Sequence, residues 1–268
     1  HSFAYYGYFD STKCYVYDTT DARFEPDSLA DSDNLCDGSS WSGNFLNWST
    51  MARIDTVRKL LYGGDRSTDT ATETVLERTY LPNDAHSYAK FYDGGVTDLT
   101  KLTPFNAGQV INGITLCNTT VNNTSAYSQN VTEPPLIRVA KGDNSLWAGN
   151  ERWQCRWSTE KSASNSNDSA TSGLDAASSN PDRTNDGLGN IDYIARIQAC
   201  VSGLIGTEKC KQYPDGNYKP IGLIQSYGDD DVVNFGLMTG SYTKNKSGGV
   251  LRKNVGAISD EINTTTDG

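Results

Sequence analysis

The chain has 268 residues, long enough for one large domain or two small ones with a buried core. Only 36% of them are hydrophobic and the formal net charge is −10, which excludes nucleic-acid binding through clustered cations and offers nothing to an anionic membrane. No apolar run is long enough to cross a bilayer, and the opening at His1 reads as that of a processed or truncated piece without a signal peptide.

Residues 1–40 are aromatic and turn-rich, with Tyr5, Tyr6, Tyr8, Phe9, Tyr15 and Tyr17; alternation around Cys14 predicts a short strand. Such tyrosines more often pack over a small sheet than bind sugars. The strongest helical period in the chain lies between Trp41 and Gly64. Met51, Ile54, Val57 and Leu61 recur at steps of three and four, Leu60 widens the stripe, and Asp55 and Lys59 fall on an opposite, solvated arc. Gly63-Gly64 ends that helix, because glycine takes the left-handed conformation cheaply. So wide a stripe needs a cover, and the distant segment Val232–Thr239 is expected to supply it.

Ser67–Tyr80 reads as a second, shorter helix capped by Ser67 or Thr68 and stopped by Pro82. Val110–Cys117 and Leu136–Ala140 read as strands. Trp147, Trp153 and Trp157 crowd around Cys155, a pattern that favours core over an exposed binding surface. Residues 158–187 are small and polar and predict a mobile loop, after which Ile191–Cys200 returns to strand-like alternation. Lys219–Gly228 predicts a helix turn, and Asp229–Asp231 a solvated lead-in. Val232–Thr239 then predicts a strand buried on both faces.

The six cysteines contain no CxxC pair, which excludes metal knuckles and thioredoxin-like motifs. Six cysteines admit about 15 pairings; the sequential one is expected, Cys14–Cys36, Cys117–Cys155 and Cys200–Cys210, in an oxidising compartment. The spacing of Asp182, Thr184, Asp186, Gly187 and Asn190 partly imitates an oxygen-ligand calcium loop. Its last position is Tyr193, with Asp192 one residue short, so Asp182, Asp186, Asn190 and Asp192 are weak metal candidates beside the plain-turn reading. Calcium is the cofactor such a loop would take. Hydrolase chemistry would have to use His86 or His1 without a nucleophile elbow, and no catalytic residue is assigned.

Five blocks carry a family likeness: YYGYFDSTKCYVY (5–17), WSGNFLNWSTMARIDTVRKLLYGG (41–64), TETVLERTYLPNDAHSYAKFY (72–92), SLWAGNERWQCRW (145–157), and KPIGLIQSYG through FGLMTGSYTKNKSGGVLRKNVG (219–256). In this order they resemble the PilY/PilC-type tip adhesins and biogenesis factors of bacterial type IV pili. The resemblance implies an N-terminal region like a von Willebrand factor A-type domain, followed in the family by a calcium-binding β-propeller of which this chain has no sequence. On that basis the fold class is α/β: a partial A-type-like layer with a large, loop-rich, β-containing, disulfide-stapled insertion.

The division it implies is an aromatic strand and turn segment (1–40), a helical part (41–80), an insertion (81–217), and a helix turn plus buried strand completing the layer (218–268). Met51–Leu61 would be its first helix and Val232–Thr239 a strand of its sheet. The A-type metal motif, Asp-x-Ser-x-Ser, is missing; Asp65-Arg-Ser67-Thr-Asp69 and Asp37-Gly-Ser39-Ser40-Trp41 only approach it. The functional expectation is an extracellular structural and adhesion protein, exported through the periplasm to the pilus tip or outer cell surface. Its partners would be minor pilins and a host, surface or matrix ligand, with no nucleic acid and no membrane insertion. A carbohydrate-binding extracellular module is the alternative.

Overall fold

A computed structural model describes residues 3–80, 88–119, 134–145, 187–189, 191–240 and 249–260. The chain folds as a mixed α/β protein of several sheets. β1 (Lys13–Asp18) and β2 (Arg23–Leu29) form an antiparallel hairpin with a bulge between Cys14 and Tyr15, and the short β3 (Trp41–Ser42) pairs with the outer edge of β1. A second hairpin, β4 (Arg66–Asp69) and β5 (Thr74–Glu77), joins the first only through β10 (Arg196–Ala199). β10 runs antiparallel to β5 and parallel to β2, giving the six-strand order β3-β1-β2-β10-β5-β4.

A second sheet holds β6 (Ala89–Tyr92), β7 (Ile114–Thr119), β8 (Leu136–Lys141) and β9 (Tyr193–Ile194), all antiparallel and in that order. β9 and β10 are one extended stretch that changes sheet at Ala195. There the Ala195 N–H donates to Pro135 O at 2.8 Å and the Arg78 N–H donates to Ala195 O at 3.0 Å. The strand expected at Ile191–Cys200 thus exists and stitches the two sheets together, a recognised way of turning a corner between them. β11 (Cys210–Gln212) and β12 (Tyr218–Pro220) make one small ribbon; β13 (Phe235–Gly240) and β14 (Gly249–Gly256) make another.

The expected long helix is two helices, α1 (Gly43–Thr50) and α2 (Arg53–Tyr62), with Met51 and Ala52 extended between them. Two polar devices break it. Ser49 and Thr50 turn their hydroxyls back onto the carbonyls of Phe45 and Leu46, at 2.8 and 2.6 Å, which closes α1. Asp55 accepts the Ala52 N–H at 2.9 Å and so opens α2 afresh. Gly63 ends α2 as expected, at φ 89° with its N–H on Lys59 O.

The orientation of α2 is a correction. Asp55 is 0% exposed, whereas Ile54, Val57 and Leu61 of the apolar stripe are 44%, 46% and 40% exposed. The polar arc faces inward because it satisfies buried backbone. Asp55 also accepts the Thr79 N–H at 2.7 Å, and the Lys59 ammonium donates to the carbonyls of Gly7 and Phe9.

Nor does Val232–Thr239 cover the stripe. Among the described residues its strand β13 pairs only with β14, and Val232, Leu237 and Met238 are exposed, so it is not buried on both faces. What lies against α2 is α5 (Leu223–Gly228), the helix turn read in the sequence; a Cβ on Gly222 would collide with the backbone of Leu61 and Tyr62. The helix and the strand assigned to one A-type-like layer therefore do not form it. The segment read as a helix over 67–80 is the β4–β5 hairpin, where β-branched threonines prefer an extended chain and Thr70 closes the turn on Glu73. Residues 110–113 are likewise not strand, since α4 (Ala107–Val110) precedes β7.

The core forms where the two sheets meet α1 and α3 (Val96–Leu102). Aromatic rings dominate it: Phe9 meets Tyr15 edge-on at 5.0 Å, Trp41 meets Phe105 edge-on at 5.2 Å, and Phe24 stacks on Tyr193 at 6.0 Å. Tyr8, Phe9 and Tyr15 are thus packing residues, the role that the sequence favoured for them, whereas Tyr5 and Tyr6 are exposed. Cys14–Cys36 and Cys200–Cys210 are bonded as expected. Cys117 is disulfide-bonded too, while Cys155, its expected partner, lies outside the described residues. No helix among the described residues is long and apolar enough to cross a membrane.

Candidate functional site

α1 carries two buried asparagines, Asn44 and Asn47, on the face turned to the N-terminal segment. Asn44 accepts the Tyr5 N–H at 2.7 Å and donates to Phe3 O at 2.9 Å. Asn47 donates to Tyr5 O and Phe9 O and accepts the Phe9 N–H, all within 3.1 Å. The two amides act as a side-chain ladder for a strap, residues 3–9, that has no strand pairing among the described residues. Gly7 is required beneath it, since a Cβ there would collide with the Asn47 amide.

The strap forms one wall of a cleft of about 200 Å³ lined by Tyr5, Asn44, Phe45, Trp48, Tyr92 and Leu102. Phe45 and Leu102 are its buried floor, and Tyr5, Trp48 and Tyr92 its partly exposed rim. Tyr92 meets Phe45 and Trp48 edge-on at 5.4 and 5.7 Å. Burial raises the proton affinity of the Tyr92 hydroxyl, and the carboxylates of Asp98 and Asp93 raise it further. Behind Trp48 the Lys90 ammonium donates to the Trp48 carbonyl and lies 5.4 Å from the Trp48 ring centroid and 4.6 Å from that of Tyr88.

A second constellation is ionic and buried. Asp10 receives the Thr12 and Thr207 N–H groups and both hydroxyls at 2.7–2.9 Å, and Lys13 bridges it to Glu208 at 3.8 and 3.1 Å. Glu208 also accepts the Cys200 N–H at 2.7 Å, which ties the Cys200–Cys210 loop to the start of β1. Burial pushes the Asp10 carboxyl up, but its hydrogen bonds outweigh burial and hold it below the usual range. Burial raises Glu208 despite Lys13. Cys200, Glu208 and Cys210 are close enough to suggest metal ligands, yet both sulfurs are taken by the disulfide, which leaves a single donor.

Of the calcium-loop candidates, Asp182, Asp186 and Asn190 lie outside the described residues. Asp192 is engaged by Arg138, whose guanidinium grips both carboxylate oxygens at 2.9 and 2.5 Å. Trp147, Trp153, Trp157, His1 and His86 also lie outside the described residues, as does the expected mobile loop up to residue 186. Asp229 is not solvated: it is buried and receives Lys211 at 2.9 Å and the Tyr213 hydroxyl at 3.0 Å. The near-miss metal motif is dispersed into ion pairs, Asp65 with Arg58 and Asp69 with Arg66 and Lys219. Sequence reasoning missed the cleft. Its lining residues come from four separate segments, and the local signal was Trp48 beside Asn44 and Asn47 in α1.

Residues 1–140 match the protein family described as "PilY1 homolog, small alpha/beta domain", and residues 235–268 match "PilY1 homolog, second domain". A type IV pilus biogenesis factor PilY1 homolog of Xylella fastidiosa (strain Temecula1 / ATCC 700964) is 35% identical over 98% of this chain, which spans 17% of that relative's length. A second protein of the same name and strain is 29% identical over 83% of the chain, which covers 16% of its length. No solved structure matches.

Proposed function

Because the chain belongs to the PilY1 family of type IV pilus biogenesis factors, we propose that it works by contact and not by chemistry, as part of a protein at the pilus tip that supports assembly and attachment. The observation that carries this reading is the similarity itself, which runs through nearly the whole chain. The disulfides support it, since Cys14–Cys36 and Cys200–Cys210 pin loops that traction would otherwise draw out. The strap-and-cleft surface is the part of the chain suited to touch a ligand, because its rim is aromatic, partly exposed and held by a rigid helix. Minor pilins on one side and a host, surface or matrix ligand on the other are the partners of such a protein. The location is the cell exterior, reached through the periplasm.

The test is an in-frame removal of this region from the protein in a piliated bacterium, beside a Trp48→Ala variant. Removal is expected to lower both surface pili and attachment, and Trp48→Ala to lower attachment several-fold at unchanged pilus number. Unchanged pilus number and attachment on removal would overturn the proposal. A carbohydrate-binding module is the second reading, favoured by the ring-lined cleft alone; a glycan array on this chain, repeated with Trp48→Ala, separates the two.

A further inference from the structure

Lys13 opens β1 inside the buried ionic constellation, with a side chain that is 0% exposed. Its ammonium lies 3.1 Å from Glu208 Oε2 and 3.8 Å from Asp10 Oδ2, and those side chains are 5% and 0% exposed. Charges so enclosed recover what they lose on leaving water only through good hydrogen bonds. Here they do not: among the described residues the Lys13 ammonium has no hydrogen-bond partner, and neither has Glu208 Oε1. Gly206 closes the site on one side, since a Cβ there would stand 2.7 Å from both Lys13 Cε and Asp10 Oδ2. An amine and a carboxyl held in contact away from water are the two halves of an amide. Fixed placement removes the need for an encounter, and dryness removes the water that would reverse the bond.

We propose that the folded chain joins Lys13 to Glu208 by an amide between Lys13 Nζ and Glu208 Cδ, with Asp10 as the base. Burial favours the neutral acid of Glu208, against the pull of Lys13. One proton of the ammonium passes to the unpartnered Oε1, which leaves a free amine beside a neutral acid. Nζ then attacks Cδ, and the Cys200 N–H, 2.7 Å from Oε2, holds the oxyanion that forms there. Burial pushes Asp10 towards the acid, but its hydrogen bonds from Thr12 and Thr207 keep it ionised. It takes a second proton from Nζ and hands it to Oε1. The C–N bond forms, the Cδ–Oε1 bond breaks, and Oε1 departs as water with both protons; nothing is oxidised or reduced. A cavity of about 10 Å³, room for a single water, lies beside Glu208 and Lys59. The reaction occurs once per chain. A linked Glu208 no longer titrates, so any pH dependence of that group belongs to the unlinked chain. The strands of both large sheets, β1 to β10, fall between the two joined residues, so a pull along the backbone would pass through the amide and bypass them.

The test is mass spectrometry of the protein recovered from the piliated bacterium, reduced, denatured and digested with trypsin. The expected result is no cleavage after Lys13 and a peptide that joins the stretch holding Lys13 to residues 197–209, lighter than the two together by one water. Lys13→Arg and Glu208→Ala should each abolish the joined peptide. Asp10→Asn should lower the joined fraction at least about tenfold soon after synthesis, the least that loss of a positioned base implies, with near-ultraviolet circular dichroism showing that the variant is folded. The parent protein alone decides the matter if the variants do not fold. Cleavage after Lys13 in the parent, with both peptides at full mass, would overturn the inference and leave an ordinary buried ion pair. A link from Lys13 to Asp10 in place of Glu208, or an undiminished joined fraction in folded Asp10→Asn, would overturn the roles assigned here.

Discussion

Asn47 shows how much a single side chain carries here. Its amide completes the hydrogen bonds of Tyr5 O, Phe9 O and Phe9 N–H in a buried setting, so Asn47→Ala takes this partner from Tyr5 O and Phe9 N–H and leaves Phe9 O with Lys59. The expected loss is about 2–3 kcal/mol in urea unfolding, more than an exposed cap would cost. Asp10 makes a pH prediction. Its folded pKa lies below the ordinary 3.8, so its contribution is present above 3.8 and is lost as pH falls through the folded value. Glu208 has the opposite sign: raised above 4.5, it adds stability below 4.5 that fades as pH climbs through its folded pKa. Unfolding of Asp10→Asn against the parent chain should therefore show their gap narrowing as pH drops below 3.8. A constant gap would remove Asp10 from the ledger of acid sensitivity.

At the scale of elements, α2 reverses the usual logic of an amphipathic helix. Val57→Ser, on its outward stripe, should cost less than about 0.5 kcal/mol, while Asp55→Ala should cost about 2–3 kcal/mol because the Ala52 and Thr79 N–H groups lose their acceptor. Denaturant midpoints of the two variants check this ordering. Periodicity located this helix and its glycine stop, and it found β1, β8, the β9–β10 stretch and α5. It had no means of telling which face points inward, because buried backbone donors and acceptors leave no mark on a hydrophobic pattern. The break at Met51-Ala52 was hidden for the same reason: Ser49, Thr50 and Asp55 each look compatible with a helix, and only their targets show that they end one and start another. The β4–β5 hairpin reads as a helix in the sequence because Ser67 and Thr68 are good caps, while Thr68 and Thr74 are equally at home in a strand.

For the molecule as a whole, the exposed apolar ribbon β13–β14 is the part least able to stand alone, since a two-stranded sheet is marginal in water. It falls within the residues that match a second domain in the family. The rest of the chain, by contrast, is held by the Cys14–Cys36 and Cys200–Cys210 disulfides and by a bonded Cys117. Replacing Cys200 and Cys210 by serine opens a loop with a sequence separation of 10 and should cost about 3 kcal/mol; replacing Cys14 and Cys36 should cost as much or slightly more, for a separation of 22. Urea midpoints of the two double variants test both values, and a smaller loss at Cys200–Cys210 would mean that the Glu208 network already holds the loop closed.

The strand that changes sheet has a kinetic consequence. Phe24 waits for Ile197, and Leu76 waits for the same residue, so the two hairpins of the larger sheet stay unjoined until a chain emerging N-terminus first has delivered β10. Until then β2 and β5 each present an open edge, the condition in which polypeptides mispair with one another. Maturation should be late and abrupt rather than gradual, because the two hairpins join only when Ile197 arrives.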